Sequence, residues 1–505
     1  MEPSKYQVKI YDVYDNTNDN IVVQACPGSG KTTTLLQLLK RTPKWKKTIF
    51  LAFNKSIQQE LESRVPEGVK TSTIHSLGLG IFRGNMACSI KISEYKTFVL
   101  AKKALPYLNM FEEKKRNSYL GIISQLYDLF RLNVLERVEE LEIVALEYGV
   151  DFTENHIKDM AVVIESIDRY NKSFSSHKEF LVDFTDMLYL PVQMVAADKF
   201  PRYDVVMVDE VQDLNKLQKK LIDRIRKPNG RFVAVGDNNQ AIYAFIGANR
   251  EVFEQFEKAP RTQVLPLSVS YRCAKKVVSA ANEIFPGVEP FEANEEGVVR
   301  KGHIGEVEEG DFVICRNNLP LVLAYFDIAK EGKRVSILGR DLQQGLSHIL
   351  STVRSYPSFE EAVEFLCQDK ERSIREKFPS IKNPKNHSSY RTLLEKVGII
   401  RYLVNSCGSD MDLVENTIGN MFSDTVKGGV LLMTGHKSKG LESNRVFFLF
   451  PELIPSPFAE TGLEKYQERC LGYVIVTRAK RELVMVPMSP VDQFRIKELG
   501  GVIKL

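Results

Sequence analysis

Short apolar runs alternate with amphipathic stretches along most of this chain. Ile21-Val22-Val23-Gln24-Ala25 is a β-branched run that gives way to Cys26-Pro27-Gly28-Ser29-Gly30-Lys31-Thr32. That spacing predicts a strand, a tight loop and a helix over 32–39. Residues 48–53, 205–208 and 232–235 repeat the strand signal, the last two ending in acidic or glycine-containing turns. Strands alternating with helices in this way predict a parallel α/β sheet. Two regions break the alternation. From about 90 to 180 helical spacing dominates, and Ile157, Met160, Ala161, Ile164 and Ile167 are expected on one helix face. From about 347 to 422 the pattern is again helical and more charged, with a polar break over 379–389. Strand character returns at 312–315, 334–338, 430–433, 446–450 and 483–486, and a short apolar strand is expected at 264–267. The pattern predicts an α/β protein of two units, each carrying a mainly helical insertion. No repeat of fixed period and no low-complexity tract interrupts it.

Composition narrows the class. At ~150 residues per domain, 505 residues suggest roughly three units. Hydrophobic residues at 43% and charged residues at 27% exclude a disordered tail, a fibre and a disulfide miniprotein. No stretch approaches the ~18 apolar residues of a membrane helix, and MEPSKYQVKI lacks the apolar core of a secretory signal. The seven cysteines are scattered without a CxxC pair, which reads as free thiols in a reducing cytoplasm. A net charge of +4 leaves nucleic acid open, because a basic groove can hide inside a balanced total.

The candidate chemistry begins in the loop after the first strand. Glycines there let backbone N–H groups face phosphate oxygens, Lys31 supplies a cation for the β- and γ-phosphates, and Thr32 a hydroxyl for Mg²⁺. The bland alternative is a glycine turn before a core helix. A phosphate cradle needs an acid at a neighbouring strand tip, and Val205-Val206-Met207-Val208-Asp209-Glu210 ends in two. Asp209 suits Mg²⁺, and Glu210 suits polarising a water for attack on the γ-phosphate. The long interval between Lys31 and Asp209 fits an inserted domain. Gln240, after a strand-end acid, can contact the γ-phosphate or its attacking water. Tyr243 and Phe245 can stack on bases, or simply pack in a core. Arg272 and Arg478 suit arginine fingers, the alternative being plain surface residues. Lys44, Lys46, Lys47, Lys437 and Lys439 are candidates for a local basic stripe, or solvated surface charges.

In order and over nearly the whole chain, these segments resemble superfamily 1 helicases of the UvrD/Rep (PcrA-like) type. Gln7 is similar to the family's adenine-reading glutamine, and Phe53-Asn54-Lys55-Ser56 and Thr73-Ile74-His75-Ser76 to its first DNA-contact motifs. Residues 183–188 resemble its DFxDLL segment, Asp209-Glu210-Val211-Gln212-Asp213 its DExQD box, and 236–248 its GDxxQxIYxFxGA. Tyr271-Arg272, 434–442 (TGHKSKGLE) and 473–479 (YVIVTRA) complete the set, while AFNKS at 52–56 is similar to the F-box DNA helicase subgroup, without an F-box. The resemblance implies two RecA-like P-loop domains: 1–89 with 181–262, and 263–346 with 423–505. Helical insertions at 90–180 and, reduced, at 347–422 would interrupt them. It implies ATP and Mg²⁺ as cofactors, with Gln7, Pro27, Gly28, Ser29, Gly30, Lys31, Thr32, Thr33, Tyr271, Gly440 and Glu442 at the nucleotide. Glu210, Gln240, Arg272 and Arg478 would be catalytic, and Thr32 and Asp209 would hold the metal. DNA would meet Phe53, Asn54, His75, Tyr243, Phe245, Thr434 and His436. The expected activity is ATP-driven translocation on single-stranded DNA and at ss/ds junctions. Ala241-Ile242-Tyr243 after GDxxQ is as in 3′→5′ members. The chain is expected to be monomeric in isolation, off the membrane, and cytoplasmic or nucleoid-associated (within the host cell if viral). A DNA-sensing ATPase that regulates a partner nuclease, and an RNA motor, remain as alternatives. The sequence departs from the family pattern at Cys26, Ile246 and Ser443.

Overall fold

A strand covered on both faces carries apolar side chains at every position, and the chain's apolar runs become strands of this kind. The computed structural model describes residues 2–53, 55–86, 88–148, 150, 152–242, 250–377, 383–408, 410–422, 428–459 and 462–499. They form two compact units, Met1–Ser268 and Val269–Leu505.

In the first unit the strands are β1 (Asn20–Ala25), β2 (Thr48–Ala52), β3 (Lys70–Thr73), β4 (Ser89–Ile92), β5 (Glu179–Val182), β6 (Tyr203–Val208), β7 (Arg226–Gly236) and β8 (Thr262–Leu267). Six of them make a parallel sheet in the order β3-β2-β6-β7-β1-β8. Alternate side chains feed two cores. Val22, Ile49, Leu51, Val206, Val208, Phe232 and Ala234 point to one face, and Ile21, Val23, Phe50, Val205, Met207, Val233 and Val235 to the other. Each such valine, leucine, isoleucine, methionine or phenylalanine, fully buried, contributes about 1.5–3 kcal/mol. Strand β8, which the sequence grouped with the second domain, pairs with β1 from Asn20↔Thr262 to Ala25↔Leu267 and so completes the first sheet.

Helices Lys96–Ala104, Glu113–Leu132, Glu139–Glu147 and Glu154–Lys172 have a core of their own and lie in the chain between the paired parallel strands β4 and β5. In the helix Glu154–Lys172 the buried positions are His156, Met160, Val163, Ile167 and Asn171, while Ala161 faces solvent. The stripe therefore takes in Val163 in place of the expected Ala161, with Ile157 and Ile164 packed at its margin.

The second unit has β9 (Val269–Ser270), β10 (Glu289–Pro290), β11 (Val298–Lys301), β12 (Phe312–Cys315), β13 (Val335–Ile337), β14 (Val430–Thr434), β15 (Ser443–Leu449) and β16 (Ala479–Val486). Its sheet is again six-stranded and parallel, in the order β11-β16-β15-β12-β14-β13. Two such sheets are consistent with two RecA-like domains. Helices Arg340–Arg354, Phe359–Lys377, Ser388–Ser406 and Met411–Met421 share one continuous core with this sheet, unlike the separately cored helices of the first unit. Among the described residues no helix is long and apolar enough to cross a membrane.

Candidate functional site

In a parallel sheet every strand ends on the same edge, and ligand-binding loops gather at the carboxyl ends. The first unit uses that edge throughout. Read along the strand order, it carries His75 after β3, Phe53 after β2, Asp209 and Glu210 after β6, Asp237 and Gln240 after β7, and the loop 26–30 after β1.

The loop can wrap because Gly28 and Gly30 take φ of 70° and 80°, where a side chain is strained. Gly30 delivers the chain into the helix Lys31–Arg41, whose first turn aims backbone N–H groups outward. Ser29 Oγ is buried with no hydrogen-bond partner among the described residues, and its hydroxyl suits donation to a phosphate oxygen. Lys31 Nζ lies 2.8 Å from Glu210 Oε1. Burial works against the lysine's charge, but Glu210, Asp209 and Asp237 outweigh it and raise its pKa. Thr32 Oγ1 donates to Asp209 Oδ2 at 3.3 Å. Burial, then the charge of Glu210, push the Asp209 carboxyl up to about 6.

Glu210 itself holds a left-handed φ of 52°, a conformation costing a non-glycine residue about 1–3 kcal/mol. Gln212 bridges the strand tips: its Nε2 donates to Glu210 Oε2 at 2.6 Å, and its Oε1 accepts from Asp237 N–H at 3.0 Å. Gln240 Nε2 in turn donates to Asp237 Oδ2 at 2.7 Å. Gln7 lies over the loop. Its Oε1 accepts from Ser4 N–H as part of a capping box, and its Nε2 donates to Thr34 Oγ1 at 3.0 Å. His75, half-buried, has its pKa lowered by burial, and Phe53 is 38% exposed.

The second unit divides its candidates between the two ends of its strands. Thr434 and His436 stand at the carboxyl tip of β14, beside Arg316 at the tip of β12. Arg316 pairs bidentately with Glu468 at 2.8–3.1 Å. Burial, helped by the Arg316 charge, pushes the His436 imidazole down to about 4. Glu442 and Arg478 stand at the opposite end, just before β15 and β16, where Ser443 pairs with Ala479. Glu442 is clasped by Arg272 Nε at 2.5 Å and Lys480 Nζ at 2.7 Å. Burial opposes its charge, but Lys480, Arg272 and Arg478 win and lower its pKa. Arg478 is 1% exposed and is not a surface residue. Its Nε donates to Val474 O at 2.9 Å and its Nη1 to Leu441 O at 3.1 Å. Tyr271 packs against Phe291, with ring centroids 4.8 Å apart. Residues 435–442 thus cross from one edge of the sheet to the other without a helix, and Gly440 uses a φ of 86° in that run.

The description "UvrD/REP helicase N-terminal domain" matches residues 8–261, and "UvrD-like helicase C-terminal domain" matches 362–489. This chain belongs to the UvrD/REP helicase family. F-box DNA helicase protein 1 of Schizosaccharomyces pombe is 24% identical over 95% of this chain and 57% of that protein. ATP-dependent DNA helicase PcrA of Bacillus subtilis is 26% identical over 59% of this chain and 42% of that protein. ATP-dependent DNA helicase Rep of Buchnera aphidicola is 24% identical over 53% of this chain and 43% of that protein. The chain therefore spans about half the length of the curated relatives it matches.

With the UvrD/REP membership in hand, three outcomes stand out. Asn54, Tyr243, Phe245 and Ile246 lie outside the described residues. Lys44, Lys46 and Lys47 do not join Phe53 and His75: they precede β2, at the amino edge of the sheet, because a parallel strand separates its two ends by its whole length. Residues 183–188 act as a staple between the helices and the sheet. Asp183 and Asp186 hold Arg131 and Lys96, with Arg131 Nη1 at 2.9 and 2.6 Å and Lys96 Nζ 2.5 Å from Asp186. Sequence reasoning gave no role to Gln212, Asp237, Arg316 or Glu468. Gln212 and Asp237 were at least inside quoted motifs; Arg316 and Glu468 meet across 152 positions of chain and carry no local signal.

Proposed function

We propose that this chain is an ATP-driven motor that translocates on single-stranded DNA and separates strands, moving 3′ to 5′. One observation carries the reading: Lys31, Thr32, Asp209, Glu210 and Gln240 converge on the sheet edge that also presents Phe53 and His75. An incoming triphosphate gives Lys31 a new counter-charge. Glu210 Oε1 is then released to accept a proton from the attacking water, while Gln212 keeps Oε2 oriented. Gln240 senses the γ-phosphate position, and Arg272 and Arg478 supply positive charge as turnover proceeds.

Thr32 and Asp209 offer the hard oxygen donors that Mg²⁺ prefers. Among the described residues no group of three or more His, Cys, Asp or Glu forms a metal cage, so phosphate and water would complete the shell. When bound, the ion would neutralise charge on the phosphates. Thr33, Tyr271, Gly440 and Glu442 are proposed at the nucleotide. Asn54, Tyr243, Phe245, Thr434 and His436 are proposed on the strand with Phe53 and His75. The proposed domains are 1–89 with 181–268, the latter segment now including β8, and 269–346 with 423–505, the helical insertions lying between. The polarity rests on the residues after Gln240, Ala241-Ile242-Tyr243.

Strand displacement on 3′-tailed and 5′-tailed duplexes of DNA and RNA, with ATPase followed in parallel, tests the proposal. Displacement of the 3′-tailed DNA duplex alone is expected. DNA-stimulated ATPase without any displacement would assign the chain to a DNA-sensing switch instead.

A further inference from the structure

The turn before β2 combines features that the motor edge leaves unused. Residues 40–47 read Lys-Arg-Thr-Pro-Lys-Trp-Lys-Lys, with no acid among them, and Trp45 is the one tryptophan of the chain. Lys46 N–H donates to Pro43 O at 2.9 Å, closing a turn with Lys44 and Trp45 at its corner. The base of the turn is pinned to β6: Lys47 N–H donates to Asp204 Oδ2 at 2.9 Å, and Asp204 N–H to Lys47 O at 2.8 Å. Thr48 Oγ1 donates to Lys46 O at 3.0 Å. A fixed corner thus presents an indole that is 78% exposed, with Lys46 Nζ 5.5 Å from its ring centroid. The neighbouring carboxylates are already engaged, Asp15 by Arg41 and Asp204 by Lys227. The exposed indole with Lys46 beside it offers a flat apolar face next to positive charge, which a ligand with a planar face and negative charge would complement.

We propose that this turn is a second contact for single-stranded nucleic acid, with one base stacking on Trp45 and flanking phosphates meeting Lys44 and Lys46. The corner is convex, which suits a planar base better than a peptide side chain that needs a pocket. Strand β2 sets the site roughly 17 Å from Phe53, so it is separate from the motor edge and does not depend on ATP turnover.

Because Trp45 is the single tryptophan, its emission reports this site directly. The full chain is titrated with oligothymidylate of about 16 nucleotides at low and physiological salt. Saturable quenching that weakens with salt is expected. It should persist in Phe53→Ala, and Lys44→Glu/Lys46→Glu should weaken it at least about tenfold at an unaltered melting temperature. Three results would overturn the proposal. One is unchanged emission at concentrations where anisotropy shows bound DNA. Another is quenching that disappears with Phe53→Ala. The third is quenching by polyglutamate but not by oligothymidylate, which would assign the turn to an acidic polypeptide.

Discussion

Lys31 and Glu210 neutralise each other at 2.8 Å, so each residue's behaviour depends on its partner. Glu210→Gln removes the proton acceptor and also frees Lys31 from a competing carboxylate. Turnover should fall at least ~100-fold while nucleotide binding holds or tightens, read by single-turnover ATPase and a fluorescent-nucleotide titration. Undiminished turnover would place the base elsewhere. His436 gives a pH signature of its own. Its ordinary pKa of 6.5 is lowered to about 4 by burial and Arg316, so the folded protein disfavours the imidazolium. The unfolded chain takes up the proton first. The stability this group provides is therefore complete above about 6.5 and is lost as pH falls from there towards 4. Urea midpoints across that window should decline less steeply for His436→Asn than for the parent.

Elements meet where side chains are smallest or most tightly paired. A Cβ at Gly78 would lie 2.2 Å from the carbonyl oxygen of Met187, so the helix Ile74–Asn85 approaches Asp186–Met194 at a distance only glycine permits. Gly78→Ala should cost at least about 1–3 kcal/mol and move His75, which opens the same helix; thermal melts and single-strand DNA affinity should fall together. The staple beside it is electrostatic. Arg131 and Lys96, both fully buried, answer Asp183 and Asp186, with Asp128 on the rim. Arg131→Met leaves those carboxylates without their fork-shaped partner and should destabilise by about 3–5 kcal/mol in urea titration. An Arg131→Met protein as stable as the parent would show that the cluster contributes little.

At the scale of the molecule, each described core lies within one unit: those around β1, β2, β6 and β7 in the first, and the one that β12–β15 share with the helices of 340–421 in the second. Separate cores need not melt together. Calorimetry should resolve two transitions, with Leu432→Ala lowering one and Leu51→Ala the other, each by about 2–5 kcal/mol of local stability. A single transition shifted equally by both variants would refute independent cores.

Local chemistry is legible wherever it is contiguous. A phosphate loop, a strand-end acid pair and a run such as TGHKSKGLE each need neighbouring residues in a fixed order, because backbone turns and strand tips are built from a few adjacent positions. The alternating apolar runs likewise identify two parallel sheets, since two-sided burial demands apolar side chains at successive positions. What the sequence could not decide was which end of a sheet a residue occupies. Lys44, Lys46 and Lys47 lie a few positions before Phe53 yet at the other edge, because β2 runs between them. His436 and Glu442 are near neighbours in the chain, and residues 435–442 carry them to opposite edges. Strand β8 joined the first sheet through pairing with β1, across more than 230 positions. The Arg131 staple and the Arg316–Glu468 pair are contacts between distant segments of the same kind. Local propensity sets which residues become strands and loops; pairing, burial and charge between distant segments set where those strands and loops meet.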